Sequence, residues 1–273
     1  MGKRIILHVG APKCGSTYLQ RVLLNNAEAL AALHCAYPHD GSPHPGNAAE
    51  LGRFTPDWMH EAFRPGVDTL LLSHEDLLYD PRGRQAFAEA SARAGVRVSV
   101  VAFCRPFNEI VFGDYSQHMK QFFDRYLAQR SAYDGASFES FADRRIALQS
   151  PSASLEAWQR AFPGGVTLRP SREIRPLYEQ LVGTGLNWQV SAHQSNRSLR
   201  TEDCERIAAA IADLSLPEAA VRELYRAAFH RAGEGDGGRT PERIRHIEDR
   251  LRDENERLLQ RFGVDNRAAI LQP

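Results

Sequence analysis

The chain has 273 residues, 42% of them hydrophobic and 25% charged, enough for one sizeable α/β core with room for a helical appendage. Thirty-four basic residues balance thirty-four acidic ones, so the basic excess of a general nucleic-acid or membrane-surface binder is absent and any anion site must be local. The one apolar run near the N-terminus, Ile5 to Val9, is too short for a signal core or a membrane span, and Gly2 lacks the Ser or Thr of a myristoylation site; the expectation is a cytoplasmic protein without membrane insertion.

In chain order, Arg4 to Val9 reads as a short buried strand, β-branched and apolar, ended by Gly10 and Pro12. A helix follows, with Leu19, Val22, Leu23, Leu30 and Leu33 at helical spacing and Ser16 or Thr17 as cap. Val67 to Ser73 and Val96 to Phe103 are further strand candidates, separated by an Ala-rich helical stretch between Pro81 and Ala94. Asn108 to Gln129 is a long helix whose face of Ile110, Val111, Tyr115, Met119, Phe122, Phe123 and Tyr126 reads as core. A short helix, Leu155 to Phe162, leads through Phe162-Pro163-Gly164-Gly165 into a strand, Val166 to Arg169.

The C-terminal third reads as helical, broken at Gly233 to Gly238, after which Thr240 and Pro241 start a terminal helix carrying Ile244, Ile247, Leu251, Leu258 and Phe262. Strands alternating with helices imply a three-layer α/β/α fold with a mainly parallel sheet. The chain is read as one domain, residues 1–273, with its α/β core in about 1–200 and a helical part in about 200–273. Cys14, Cys35, Cys104 and Cys204 are scattered with no C-x-x-C pair, which argues for reduced thiols and against a zinc or disulfide framework.

The stretch His8-Val9-Gly10-Ala11-Pro12-Lys13-Cys14-Gly15-Ser16-Thr17 carries the chemistry. It has the two glycines of a phosphate-binding loop between a strand and a helix, where backbone N–H groups and a helix N-terminus form an anion site. A nucleoside triphosphatase needs a lysine directly after the second glycine, with Mg²⁺ held by the next hydroxyl; here Ser16 stands there and the lysine is Lys13, inside the loop. A lysine so placed suits transfer of a sulfuryl group, whose smaller charge a single ammonium can stabilise without a metal.

"HVGAPKCGSTYLQ" resembles the 5'-phosphosulfate loop of sulfotransferases that use 3'-phosphoadenosine 5'-phosphosulfate (PAPS), most of all bacterial members with H-x-G-x-x-K-x-G-[ST]-[ST]. The resemblance implies a fold of the P-loop nucleotide-binding type. It implies that Lys13 contacts the bridging oxygen and that Gly15, Ser16 and Thr17, in one loop with Gly10, Pro12 and Cys14, hold the 5'-phosphate. The family's second motif is an arginine at the end of a later strand and a serine eight residues on, both holding the 3'-phosphate. Arg105 matches, but the eighth residue is Gly113, and the nearest hydroxyls are Tyr115 and Ser116. "YPHDGSPHPGNAAEL" and "WQRAFPGGVTLRP" are similar to further bacterial segments, and Asn196, Arg197, Ser198 and Leu199 resemble a short motif near the cofactor. The likeness runs from about Ile5 to Leu199.

Sulfuryl transfer to an alcohol needs a base beside the acceptor hydroxyl. "LLLSHEDLL" offers His74 and Glu75 at one strand end, with Glu75 favoured and both kept; neighbours on a strand face opposite ways, so one of the two enters the site. His34, Cys35, His39, Asp40 and His44 lie in a Pro- and Gly-rich segment whose spacing fits no tight metal pattern. His39, Asp40 and His44 are therefore read as acceptor-pocket residues, with Asp40 or His44 as an alternative base. The resulting expectation is a metal-independent PAPS-dependent sulfotransferase acting in line on a hydroxyl of a carbohydrate, glycoconjugate or small molecule, without nucleic-acid partners. A P-loop kinase of small molecules or nucleotides, using Glu75 or Asp76 for a metal, and a non-catalytic nucleotide-binding protein are the alternatives.

Overall fold

The computed structural model describes residues 2–80, 82–191 and 197–269. The chain forms two compact units: Met1–Arg105, Ser150–Ser195 and Glu256–Asn266 make the first, and Pro106–Gln149, Asn196–Asn255 and Arg267–Pro273 the second.

The first unit is the α/β part. Its elements in chain order begin with β1 (Arg4–His8), α1 (Ser16–Asn25), α2 (Ala27–Ala32), β2 (Cys35–Ala36), α3 (Pro56–Ala62), β3 (Thr69–Ser73), α4 (Arg84–Arg93) and β4 (Arg97–Cys104). The second unit takes α5 (Phe107–Gln129) and α6 (Phe138–Ile146), and the chain then returns to the first for α7 (Pro151–Ala161), β5 (Val166–Pro170) and α8 (Ile174–Val182). The second unit also holds α9 (Thr201–Ala212), α10 (Glu218–His230) and α11 (Pro241–Arg250); α12 (Arg252–Phe262) begins at its edge and supplies the last helical stretch of the first. No helix among the described residues is long and apolar enough to cross a membrane.

The sheet is parallel throughout, in the order β2-β3-β1-β4-β5. A parallel sheet covered by helices buries both faces of its strands, and Ile5–His8 and all of Thr69–Ser73 are buried. The two-residue β2 had no run of apolar residues to announce it. Because β2 and β3 lie on one side of β1 and β4 and β5 on the other, the order reverses between β1 and β4. The carboxyl ends of strands flanking such a reversal are where open α/β sheets take ligands. The loop after β1 and Arg105 after β4 both leave from these ends.

Trp158 of α7 anchors that unit from within: it is fully buried, its indole N–H donates to Leu77 O at 3.2 Å, and its ring stacks on Phe162. In the second unit the aromatic face of α5 is core as expected, with Tyr115 stacked on Tyr133 at 4.0 Å and Tyr133 Oη donating to Tyr115 O. Glu248 of α11 accepts from Asn108 N at 2.9 Å and from Asn255 Nδ2 at 3.1 Å, satisfying an amide that the first turn of α5 would otherwise leave unpaired. The expected terminal helix does start with Thr240 as cap, accepting from Arg243 N, and Pro241 at N1. It is two helices, however: Leu251 leaves helical dihedrals at φ −109°, ψ 17°, a break that side-chain periodicity does not reveal.

Candidate functional site

The turn from β1 into α1 is built from left-handed backbone. Gly10, Lys13 and Gly15 have φ of 80°, 66° and 91°. Such dihedrals suit glycine and strain a lysine, and strain of this kind gathers where a loop holds a ligand. Cys14 N donates to Ala11 O, and Ser16 Oγ lies 3.5 Å from the same carbonyl. Gly15 starts α1 with no side-chain cap bond, so the first turn's amides are not taken by a capping side chain. Cys14 and Ser16 are buried, Pro12, Lys13 and Gly15 half-buried, and Thr17 exposed.

Gly10 has a second reason to be glycine. A Cβ there would stand 2.1 Å from Glu75 O and 2.6 Å from Glu75 Cα; His74 N also donates to His8 O at 3.1 Å. The loop after β1 and the end of β3 are thus pressed together, which brings Glu75 beside the loop that carries Lys13.

Two side chains hold Glu75. Gln20, fully buried on α1, donates from its single amide nitrogen to Glu75 Oε2 at 3.0 Å and to Ser73 Oγ at 3.1 Å. His44 Nε2 meets Glu75 Oε1 at 2.8 Å, and the His44 ring stacks on that of His74 with centroids 5.1 Å apart. Ser73 Oγ continues the chain to His8 Nδ1 at 2.8 Å. Burial alone would raise the Glu75 carboxyl; the bonds from Gln20 and a backbone amide, the nearby His74 and the bond from His44 outweigh it and hold Glu75 below the ordinary carboxylate range. Burial pushes His8 down to about 4, against the pull of Glu75, so His8 is a neutral ring at neutral pH. Its Nε2 is buried with no hydrogen-bond partner among the described residues.

His44, His74 and Glu75 bring one ligand atom each to within 4.8 Å of one another, the one such group among the described residues. Both imidazoles are turned the wrong way for a metal at Nε2. Gly46 N donates to His44 Nδ1 at 3.0 Å and Asp76 N to His74 Nδ1 at 3.3 Å, so in the neutral rings Nε2 carries the proton. Metal-binding histidines do the reverse and donate their second N–H to a carbonyl or carboxylate. The same tautomer leaves neither ring a lone pair with which to accept a proton, whereas the Glu75 carboxylate, with about four lone-pair sites for donors from Gln20, His44 and a backbone amide, keeps that capacity.

The remaining expected residues are distributed as follows. His39 donates from Nε2 to His44 O at 2.8 Å and accepts Gly41 N at Nδ1, which shapes the loop; Asp40 is exposed and accepts Ser42 N. Of that acceptor-loop trio only His44 reaches Glu75. His34 bonds to Gly66 O and Cys35 to Leu33 O, away from the cluster, and all four cysteines are buried and outside any disulfide. Arg105 Nε donates to Ser171 Oγ at 3.2 Å. Gly113 and Ser116 lie buried within α5 in the second unit, and Ser116 Oγ is committed to Leu199 N at 2.7 Å. Arg197 is exposed and its carbonyl accepts Lys120 Nζ; Asn196 lies outside the described residues. Sequence reading missed Gln20, whose signal was a polar residue at a buried helical position between Leu19 and Val22, and Ser171, for which no local signal existed.

No family model matches the chain, and a search of curated proteins returns no match.

Proposed function

We propose that the chain is a sulfotransferase of the P-loop type that transfers the sulfuryl group of PAPS to an acceptor hydroxyl, on a carbohydrate, glycoconjugate or small molecule. The observation that carries this reading is Lys13: a lysine inside a left-handed strand–loop–helix turn, at the reversal of strand order and pressed against the strand end that bears Glu75. A lysine there serves the oxygen bridging phosphate and sulfur, and the residue after Gly15 is a serine, which cannot do the work of a triphosphatase lysine.

In this reading the amides of Gly15, Ser16 and Thr17 hold the 5'-phosphate at the start of α1. Glu75 takes the proton of the acceptor hydroxyl as its oxygen bonds to sulfur, and Lys13 stabilises the charge that develops on the bridging oxygen as the sulfur–oxygen bond to the nucleotide breaks, leaving adenosine 3',5'-bisphosphate. Gln20 and His44 keep the carboxylate in place and ionised. His74, with its proton on Nε2 and its Nδ1 bonded, serves as a wall of the pocket.

The test is turnover of PAPS with a panel of hydroxyl acceptors in excess EDTA. Lys13→Ala should lower kcat by about 10² to 10³, the scale of one well-placed electrostatic stabiliser, while binding of adenosine 3',5'-bisphosphate weakens far less, because the contact strengthens mainly in the transition state. Normal turnover of Lys13→Ala at saturation, or activity with ATP that requires Mg²⁺, would refute the assignment.

A further inference from the structure

The carboxylate read as the base is backed by a chain of side chains that the reaction itself does not use. Gln20, Ser73 and His8 are all fully buried. Parallel pairing of β1 with β3 sets His8 directly opposite Ser73, and Gln20 reaches them from α1. Gln20 Nε2 lies 3.0 Å from Glu75 Oε2 and 3.1 Å from Ser73 Oγ, and Ser73 Oγ lies 2.8 Å from His8 Nδ1. The His8 ring rests against Phe103, with centroids 5.5 Å apart. Two atoms of the chain, Gln20 Oε1 and His8 Nε2, are buried with no hydrogen-bond partner among the described residues. Apolar side chains would fill the same space without those orphans, so the polar chain carries a cost that packing does not explain.

Hydrogen counting fixes the direction in which the chain runs. An ionised carboxylate only accepts, so the Gln20 atom beside Glu75 is the amide nitrogen, and Ser73 Oγ accepts its other hydrogen. The single hydroxyl hydrogen of Ser73 then goes to His8 Nδ1. His8, kept neutral by burial, carries its own hydrogen on Nε2. The opposite tautomer would leave the Ser73 hydrogen unmatched and free to turn toward Gln20 Oε1. An amide turned that way presents its oxygen to the Glu75 carboxylate, acceptor against acceptor.

We propose that Ser73 and His8 are positioning residues for Glu75, an inference that rests on the reading of Glu75 as the base. His8 Nδ1 takes the Ser73 hydrogen, the Ser73 oxygen is left an acceptor toward Gln20, and the Gln20 amide is locked with its N–H toward Glu75 Oε2. The other carboxylate oxygen, Oε1, is the one that exposed His44 meets at 2.8 Å. Neither Ser73 nor His8 touches substrate or cofactor in this reading; both act through Gln20.

The test combines turnover with NMR of the histidine rings, on the full chain. Ser73→Ala should lower kcat at saturating PAPS by about 5- to 20-fold, the scale of a hydrogen bond that holds a charged group, and leave binding of adenosine 3',5'-bisphosphate within about twofold. His8→Phe, which removes no hydrogen bond to Glu75, should give a loss of the same size, and Ser73→Thr, which restores the hydroxyl, should recover most of the activity. The deciding comparison is made in Glu75→Gln. With the base gone, adding Ser73→Ala should cost less than about twofold, because residues that act through one group lose their effect with it. A loss in that background as large as in the wild type would be a general lesion of the strand end and overturns the proposal. Heteronuclear spectra, with His8 assigned by its absence in His8→Phe, should show a neutral ring with its hydrogen on Nε2; a hydrogen on Nδ1 reverses the chain and overturns the proposal whatever the kinetics. That readout uses the wild-type fold and stands even if Ser73→Ala does not fold. If the wild type turns over no hydroxyl acceptor with PAPS, the sulfotransferase reading falls and the positioning role with it. If it does turn over and the Ser73→Ala loss persists in Glu75→Gln, only the positioning role falls.

Discussion

Gly10 offers the sharpest test of how the loop and the candidate base are assembled. In Gly10→Ala the new methyl would sit 2.1 Å from Glu75 O, 2.5 Å from Glu75 C and 2.6 Å from Glu75 Cα. All three are backbone atoms, so no rotamer change relieves the contact. Restoring ordinary separation requires about 1 Å of movement at the end of β3, and overpacking of that kind costs about 1 to 3 kcal/mol. The left-handed φ of 80° adds about 1 to 2 kcal/mol for any residue with a Cβ, giving roughly 2 to 5 kcal/mol in all. Gly41 is the matched control: its φ is 82° and a Cβ there would meet nothing within 4 Å. Gly41→Ala should pay the dihedral cost, about 1 to 2 kcal/mol, partly offset by reduced freedom of the unfolded chain. Thermal melts should therefore place Gly10→Ala roughly 5 to 15 °C below wild type and Gly41→Ala within a few degrees of it, using about 2 to 4 °C per kcal/mol for a chain of this size. Because a misplacement of about 1 Å commonly costs about 10² in rate, the residual folded Gly10→Ala enzyme should also turn over about 100-fold more slowly. Equal melting points for the two variants would show that the loop does not press on Glu75 and would undo the account of how the site is joined.

Glu75→Gln keeps the acceptor for Gln20 or His44 but cannot take a proton; kcat should fall by about 10² to 10⁴ with adenosine 3',5'-bisphosphate binding within about twofold, whereas His74→Ala should cost under about tenfold, and the opposite ranking would make His74 the base. His8 is neutral when folded, at about 4 against 6.5 for an ordinary histidine, so the unfolded chain binds the extra proton between those values and stability is lost as pH falls through that window. The total is about 3 kcal/mol, of which about 2 should vanish between pH 7 and pH 5 in urea unfolding, and His8→Gln should be flatter by that amount; parallel profiles would place His8 in solvent. Glu248 is an acid raised by burial, so its charge is a cost near neutrality. Asn255 Oδ1 is buried without a hydrogen-bond partner among the described residues and can accept from an amide after a flip of the Asn255 side chain. Glu248→Gln should be tolerated within about 1 kcal/mol at pH 7, while Glu248→Ala, which strips the acceptor from Asn108 N, should lose about 1 to 3 kcal/mol in chemical denaturation.

The sequence by itself determined what depends on neighbours along the chain. Four of the five strands, the loop with its displaced lysine, the start of the helix that follows it and the Thr240–Pro241 start were legible, because burial periodicity, glycine dihedrals and capping are local properties; the two-residue β2 and the break between α1 and α2 at Asn26 were not. It also named His74 and Glu75 as the candidate pair, and put His44 in the same search. Which of these groups meet was decided by tertiary structure. Parallel pairing sets β1 beside β3 with His8 opposite Ser73, and that register, fixed by non-local hydrogen bonds, brings Gln20 and His44 to Glu75 and turns both histidines onto backbone amides. Likewise β4 and β5 are separated by more than sixty residues in the chain, so nothing near Arg105 could announce Ser171. The second unit has the same origin: residues 106–149 and 196–255 gather into one compact body although an α/β stretch lies between them. A helix pattern reports which face of a segment is buried, and only the folded chain decides against what.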